Sequence, residues 1–136
     1  EPTAGLDPNE RVRFRNLLSD FSRDRLVLLS THIVSDVEYI AKEILLMRNG
    51  KLENAGTSEE LIATMKEKVW EINWSNEEAG KFTNNYMVSN MKMIGDRVLL
   101  RVLSENQPTE DAVLERAGLE DLFLSFFGER SGIYYD

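Results

Sequence analysis

The run Leu26-Val27-Leu28-Leu29 constrains what this chain can fold into more than any other stretch. It is too short to be a helix and is apolar at every position, with Arg25 before it and Ser30-Thr31-His32 after it. A strand with one wet face alternates apolar and polar residues. A continuous apolar run has to bury both faces, as strands of a parallel sheet do beneath flanking helices. Helix signals stand on either side of it. Asp7 followed by Pro8 is an N-cap with proline at the first helical position. Val12, Phe14, Leu17, Leu18 and Phe21 then recur at near-helical spacing to about Ser22. Downstream, Ser35-Asp36-Val37-Glu38 has the form of a capping box opening a helix that carries Val37, Ile40 and Ala41. The fold class expected for this half is α/β.

The pattern then changes. Ile44–Met47 and Leu52 flank Arg48-Asn49-Gly50-Lys51, and Asn-Gly favours the type I′ turn of a hairpin. Thr57-Ser58-Glu59-Glu60 starts a helix through about Met65. Val69–Trp74 predicts a strand, Ser75-Asn76-Glu77-Glu78 a capped helix to about Asn84, and residues 86–94 and 97–103 two strands around Gly95-Asp96. Pro108 is expected to open a helix to about Ala117, and Leu119 another ending near Phe127-Gly128. This makes residues 67–136 a small α+β unit of order β-α-β-β-α-α, its helices over one face of an antiparallel sheet. The boundary is expected near Lys66–Lys68, dividing the chain into residues 1–66 and 67–136. Trp70 and Trp74 share a strand face with Ile72 between them, which favours core packing over a ligand platform. Glu110, Asp111, Glu115, Glu120 and Asp121 are expected on a solvated acidic face.

Composition excludes several functions. The chain has 16 Lys and Arg against 24 Asp and Glu, a net charge of −8 over 136 residues. Binding to nucleic acid needs clustered basic residues, so no nucleic-acid partner is expected. There is no Cys, which removes disulfides and thiolate chemistry, and a single His, which removes multi-His metal sites. No Gly-rich phosphate loop with its Lys, no Gly-x-Gly-x-x-Gly and no Gly-x-Ser-x-Gly occurs in these residues. No metal site is expected either.

What chemistry remains rests on Glu1, Asp7 and His32. In open parallel sheets ligands bind beyond the carboxyl ends of the strands, and His32 follows directly on the apolar run. Glu1–Asp7 is a turn feeding a helix, so Glu1 is expected at the end of a neighbouring strand. A carboxylate and an imidazole on one sheet edge suit the activation of water and contact with a developing anionic charge.

Here the sequence resembles a family. Glu1-Pro2-Thr3-Ala4-Gly5-Leu6-Asp7-Pro8 is similar to the end of the Walker B motif plus the D-loop of ATP-binding-cassette (ABC) ATPases. Ser30-Thr31-His32 with Ser35-Asp36-Val37-Glu38 resembles their switch-histidine segment, and the helix and apolar strand between the two motifs match as well. Ile44–Leu52, Ala55-Gly56-Thr57 and Glu59-Glu60-Leu61 are similar to the closing hairpin and helix of that core. The resemblance covers residues 1 to about 65. Leu119-Glu120-Asp121-Leu122-Phe123-Leu124 resembles the end of the drug- and bacitracin-export type, in which a small α+β extension follows the core.

The resemblance implies that Glu1 is the catalytic glutamate that polarises the attacking water and that His32 is catalytic and contacts the γ-phosphate of the nucleotide. It places Gly5, Leu6 and Asp7 in the D-loop at the interface between two nucleotide-binding domains. The Walker B aspartate, the Walker A loop, the Q-loop and the Leu-Ser-Gly-Gly-type signature have no counterpart here, so the chain is expected to be the C-terminal part of a P-loop ATPase core followed by an α+β accessory domain. The parent subunit is then an ATP-hydrolysing exporter subunit using ATP and Mg²⁺. Its partners are a second nucleotide-binding domain and a transmembrane permease, and it lies in the cytoplasm, peripheral at the inner face of the membrane. The chain alone is expected to bind no cofactor, to be inactive, and to self-associate through the unpaired edge of its first half. The alternative is a non-catalytic regulatory or dimerisation module.

Overall fold

A computed structural model describes residues 2–82 and 84–128. The chain separates into two compact units, Glu1–Ser58 and Glu59–Asp136. Most of the helix expected at the end of the first unit therefore groups with the second.

In the first unit the helix starts where Asp7 and Pro8 require it. Helix α1 spans Pro8–Phe21, capped by reciprocal bonds between Asp7 and Glu10. None of its residues is buried. Helix α2 spans Val34–Ile40 and departs from the expected capping box: Ile33 stands at the N-cap with no side-chain bond, and Asp36 is buried instead. Strands β1 (Ile44–Arg48) and β2 (Lys51–Gly56) form an antiparallel hairpin. Asn49 (φ 51°) and Gly50 (φ 74°) occupy its turn, both in the left-handed region that a type I′ turn demands.

The expected strand at Leu26–Leu29 is corrected. These residues pair with no strand among the described residues, and Leu26 is 98% and Leu28 85% exposed. A strand is stable only with neighbouring backbones to satisfy its N–H and C=O groups. The hairpin β1–β2 closes on itself as a two-stranded sheet and offers none to this run.

The second unit contains α3 (Ser58–Ala63), β3 (Val69–Ser75), α4 (Asn76–Phe82), β4 (Met87–Ile94), β5 (Arg97–Leu103), β6 (Val113–Leu114) and α5 (Leu119–Phe127). Its four-stranded sheet has the order β4-β5-β3-β6, with each neighbouring pair antiparallel. Strand β5 thus lies between β3 and β4, and β3-α4-β4 is a split crossover unit. Alternation puts Ile72 with Val98, Leu100 and Val102 on one face, where α4 contributes Ala79 and Phe82. Trp70 and Trp74 pack at its margin, their indole N–H groups donating to Ser104 O (3.1 Å) and Asp111 Oδ2 (2.8 Å). That is the packing role expected of them.

Two expectations for this unit are overturned. No helix follows Pro108. Residues 108–111 make a turn, held by Gln107 donating to the carbonyls of Glu110 and Ala112. Val113 and Leu114 then pair with Glu71 and Trp70 as a short edge strand. Nor do the helices share a face. The Asp121 carboxylate of α5 accepts from Arg101, which alternation sets on the face opposite Leu100 and Val102. Ser89 is the extra residue of a bulge in β4, and its hydroxyl donates to Asp121 at 2.7 Å. Asp121 is 2% exposed, so it also leaves the solvated acidic face predicted for it. In place of the expected β-α-β-β-α-α, the unit is β-α-β-β-β-α after α3.

Candidate functional site

The expected site residues lie on two segments of the first unit, the turn from Pro2 to Asp7 and the stretch from Ser30 into α2. Glu1 lies outside the described residues. Gly5 sits in the turn at φ 79°, where a Cβ would be strained. The N–H of Leu6 donates to Thr3 O at 3.2 Å and closes the turn. Asp7 is exposed and does what its position before Pro8 requires: its Oδ1 accepts from Glu10 N (2.9 Å), and its own N–H donates to Glu10 Oε2 (3.3 Å). His32 is exposed, directly before α2, in a bend closed by the Ile33 N–H donating to Thr31 Oγ1 at 3.0 Å.

The residue that joins these two segments is Asp36. It is 0% exposed, as Thr3 is 1%. Thr3 Oγ1 donates to Asp36 Oδ2, while Arg15 of α1 donates to Asp36 Oδ1 through Nε at 2.8 Å and again through Nη2. Each carboxylate oxygen therefore has its own partner, from a different segment. Arg15 also reaches Ser35 Oγ (3.2 Å) and lies over the Tyr39 ring, and Tyr39 donates to Asn16 Oδ1 at 2.8 Å. The α1–α2 contact is thus polar throughout these bonds. Burial pushes the Asp36 carboxyl toward the neutral form, but the bonds from Thr3 and Arg15 and the charges of Arg15 and Arg11 outweigh it. The carboxyl is held below the ordinary carboxylate range.

Sequence reasoning placed Asp36 in a capping box and gave Thr3 and Arg15 no role. The expected box needs Ser35 at the N-cap, but the helix starts two residues earlier with Ile33 in that position, so Asp36 falls inside the first turn. Among the described residues no group of three His, Asp or Glu side chains converges closely enough to hold a metal ion. No described helix is long and apolar enough to cross a membrane.

No family model matches the chain. Parts of it are nonetheless similar to known proteins. Over 58 residues, 43% of this chain, it is 45% identical to ATP-binding cassette sub-family A members 9 and 10 of Homo sapiens. Over 74 residues, 53% of this chain, it is 35% identical to the energy-coupling factor transporter ATP-binding protein EcfA2 of Clostridioides difficile. The matches cover 4% of each human protein and 26% of the clostridial one. These relatives are ABC transporter ATP-binding proteins, and the similarity supports an ABC ATPase segment within this chain. Its mixed α/β structure with antiparallel sheets is compatible with that.

Proposed function

We propose that residues 1 to about 65 are the closing part of the nucleotide-binding domain of an ABC transporter, running from the end of Walker B through the D-loop and switch histidine, and that the following α+β unit is an accessory domain of the export type. The observation that carries this is the ordered pair of motifs, Glu1–Pro8 and Ser30–His32 with Ser35–Glu38. Identities of 35–45% to ABC ATP-binding proteins, over stretches about as long as the motif-bearing segment, support it.

In this reading Glu1 orients and polarises the water that attacks the γ-phosphate of ATP. His32 donates to the γ-phosphate oxygens, where negative charge shifts in the transition state. Phosphoryl transfer is promoted mainly by positioning and electrostatic stabilisation, so two side chains suffice for a large effect. Gly5, Leu6 and Asp7 face a second nucleotide-binding domain. A transmembrane permease receives the conformational change, and the subunit works in the cytoplasm, peripheral at the inner face of the membrane. The phosphate loop and the Walker B aspartate have no counterpart in the chain. Metal and nucleotide are therefore held mostly by parts of the subunit other than these residues, and residues 1–136 alone neither bind Mg-ATP tightly nor hydrolyse it.

The test is made in the intact subunit. His32→Ala and Glu1→Gln each lower turnover ~100–1,000-fold, with ATP binding retained. Turnover within twofold of the parent for both removes the reading.

A further inference from the structure

Three segments meet at the buried Asp36 carboxylate: the Pro2–Asp7 turn through Thr3, α1 through Arg15, and the start of α2 through Asp36 itself. Burying a carboxylate is costly unless every lone pair finds a partner. Here the cost is met by groups remote in sequence, since Thr3 and Arg15 are 33 and 21 residues from Asp36. A leucine on each segment would hold them together more cheaply but would let them slide. Hydrogen bonds of fixed direction, one oxygen to Thr3 and the other to the Arg15 fork, admit one register.

We propose that Thr3, Asp36 and Arg15 form a positioning latch that holds the Glu1–Asp7 segment in fixed register with the His32 segment, so that the two halves of the hydrolytic edge move together. The proposal rests on the ABC reading given above. None of the three residues touches the nucleotide in it; they act through their neighbours. Thr3 is separated from Glu1 in the sequence only by Pro2. Asp36 lies in the first turn of α2, directly behind the His32 bend. A displacement of either segment is therefore passed to the other through two bonds to one carboxylate. Misplacement of a catalytic group by about 1 Å can cost on the order of 100-fold in rate, so slack at the latch is visible in turnover.

The experiment uses the intact subunit with the variants Thr3→Val, Thr3→Ser and Asp36→Asn. Thr3→Val keeps the shape and replaces the hydroxyl with a methyl group that cannot donate to Asp36. It is expected to lower kcat ~10-fold with the nucleotide KM within twofold of the parent, and Asp36→Asn to lower it ~10–100-fold in the same manner. Thr3→Ser restores most of the loss, because the hydroxyl returns. Rates are expressed per nucleotide bound, so a purely structural role, which only reduces the folded fraction, leaves them unchanged and overturns the latch. In the 136-residue chain, Thr3→Val also speeds amide exchange at Leu6 and Asp36 together; a rise at Leu6 alone overturns it. Should Thr3→Val turn over within twofold of the parent while His32→Ala does not, the latch fails and the ABC reading stands. Should His32→Ala and Glu1→Gln both be without effect, the reading fails and the latch with it.

Discussion

At the scale of single residues, two carboxylates next to helix starts have opposite fates. Asp7 stays in water and caps α1, as its sequence position predicts. Asp36 turns inward and bonds to groups far along the chain. The difference has a consequence in acid. The folded carboxyl of Asp36 binds its proton less tightly than an unfolded one, because the bonds and charges from Thr3, Arg15 and Arg11 outweigh burial. Its contribution to stability is thus fully present above the unfolded value of about 4 and is lost as pH falls through the lower folded value. The expected result is an acid transition of the first unit that flattens in Asp36→Asn, read by amide exchange of residues 2–40 between about pH 5 and about pH 2. A transition of unchanged steepness would show that Asp36 is not the group titrating.

At the scale of elements, the second unit is tied together by a buried pair that no local pattern announces. Asp121 accepts from Arg101 Nη2 (2.8 Å), from Ser89 Oγ (2.7 Å) and from the Gly118 N–H (2.8 Å), so one carboxylate joins β5, the β4 bulge and the start of α5. Asp121→Ala leaves Arg101 without its main partner. Loss of one member of a fully buried pair costs ~3–5 kcal/mol, and because the Arg101 side chain is 25% exposed, a smaller loss of about 2–4 kcal/mol is expected. Urea unfolding followed by tryptophan fluorescence measures it, because Trp70 and Trp74 both lie in β3 and report this unit alone. The hairpin offers a local contrast. Gly50→Ala forces a Cβ into the left-handed region and is expected to cost about 1–2 kcal/mol of hairpin stability, seen as faster exchange in β1 and β2.

At the scale of the whole molecule, apolar residues are divided unequally. The second unit buries Ile72, Val98, Leu100, Val102 and Phe82 around one sheet face. The first leaves Val12, Leu17, Phe21, Leu26 and Leu28 exposed, and no residue of α1 is fully buried. An isolated helix of that length draws little stability from its own hydrogen bonds. Apolar runs left open associate with one another. The chain is therefore expected to self-associate through its first unit, with a light-scattering mass that rises with concentration and returns to the monomer value in Leu26→Lys/Leu28→Lys. A monomer throughout the concentration range for the parent chain would count against it.

The features determined by the sequence itself are those whose causes lie within a few residues. Asp7-Pro8 starts a helix, Asn49-Gly50 turns a hairpin, and Ser75 and Glu78 cap α4 reciprocally, the Ser75 N–H donating to Glu78 Oε2 (3.2 Å) and the Glu78 N–H to Ser75 Oγ (3.4 Å). Strands β3, β4 and β5 follow from alternation, and the paired motifs around Glu1–Asp7 and His32 are legible without coordinates. The tertiary structure decided what depends on distant partners. Leu26–Leu29 reads as a core strand, yet pairing needs neighbouring backbones and none of the described strands supplies one. Val113-Leu114 reads as helix, yet the open edge of β3 captures it as strand. Asp36 reads as an inner position of a capping box headed by Ser35, and Asp121 as a surface acid, yet each is buried because an arginine 20 or 21 residues away, unrelated to it in any local pattern, is folded against it. Short-range sterics and capping act in the unfolded chain as in the folded one, whereas strand pairing and charge burial exist only once the partners have met.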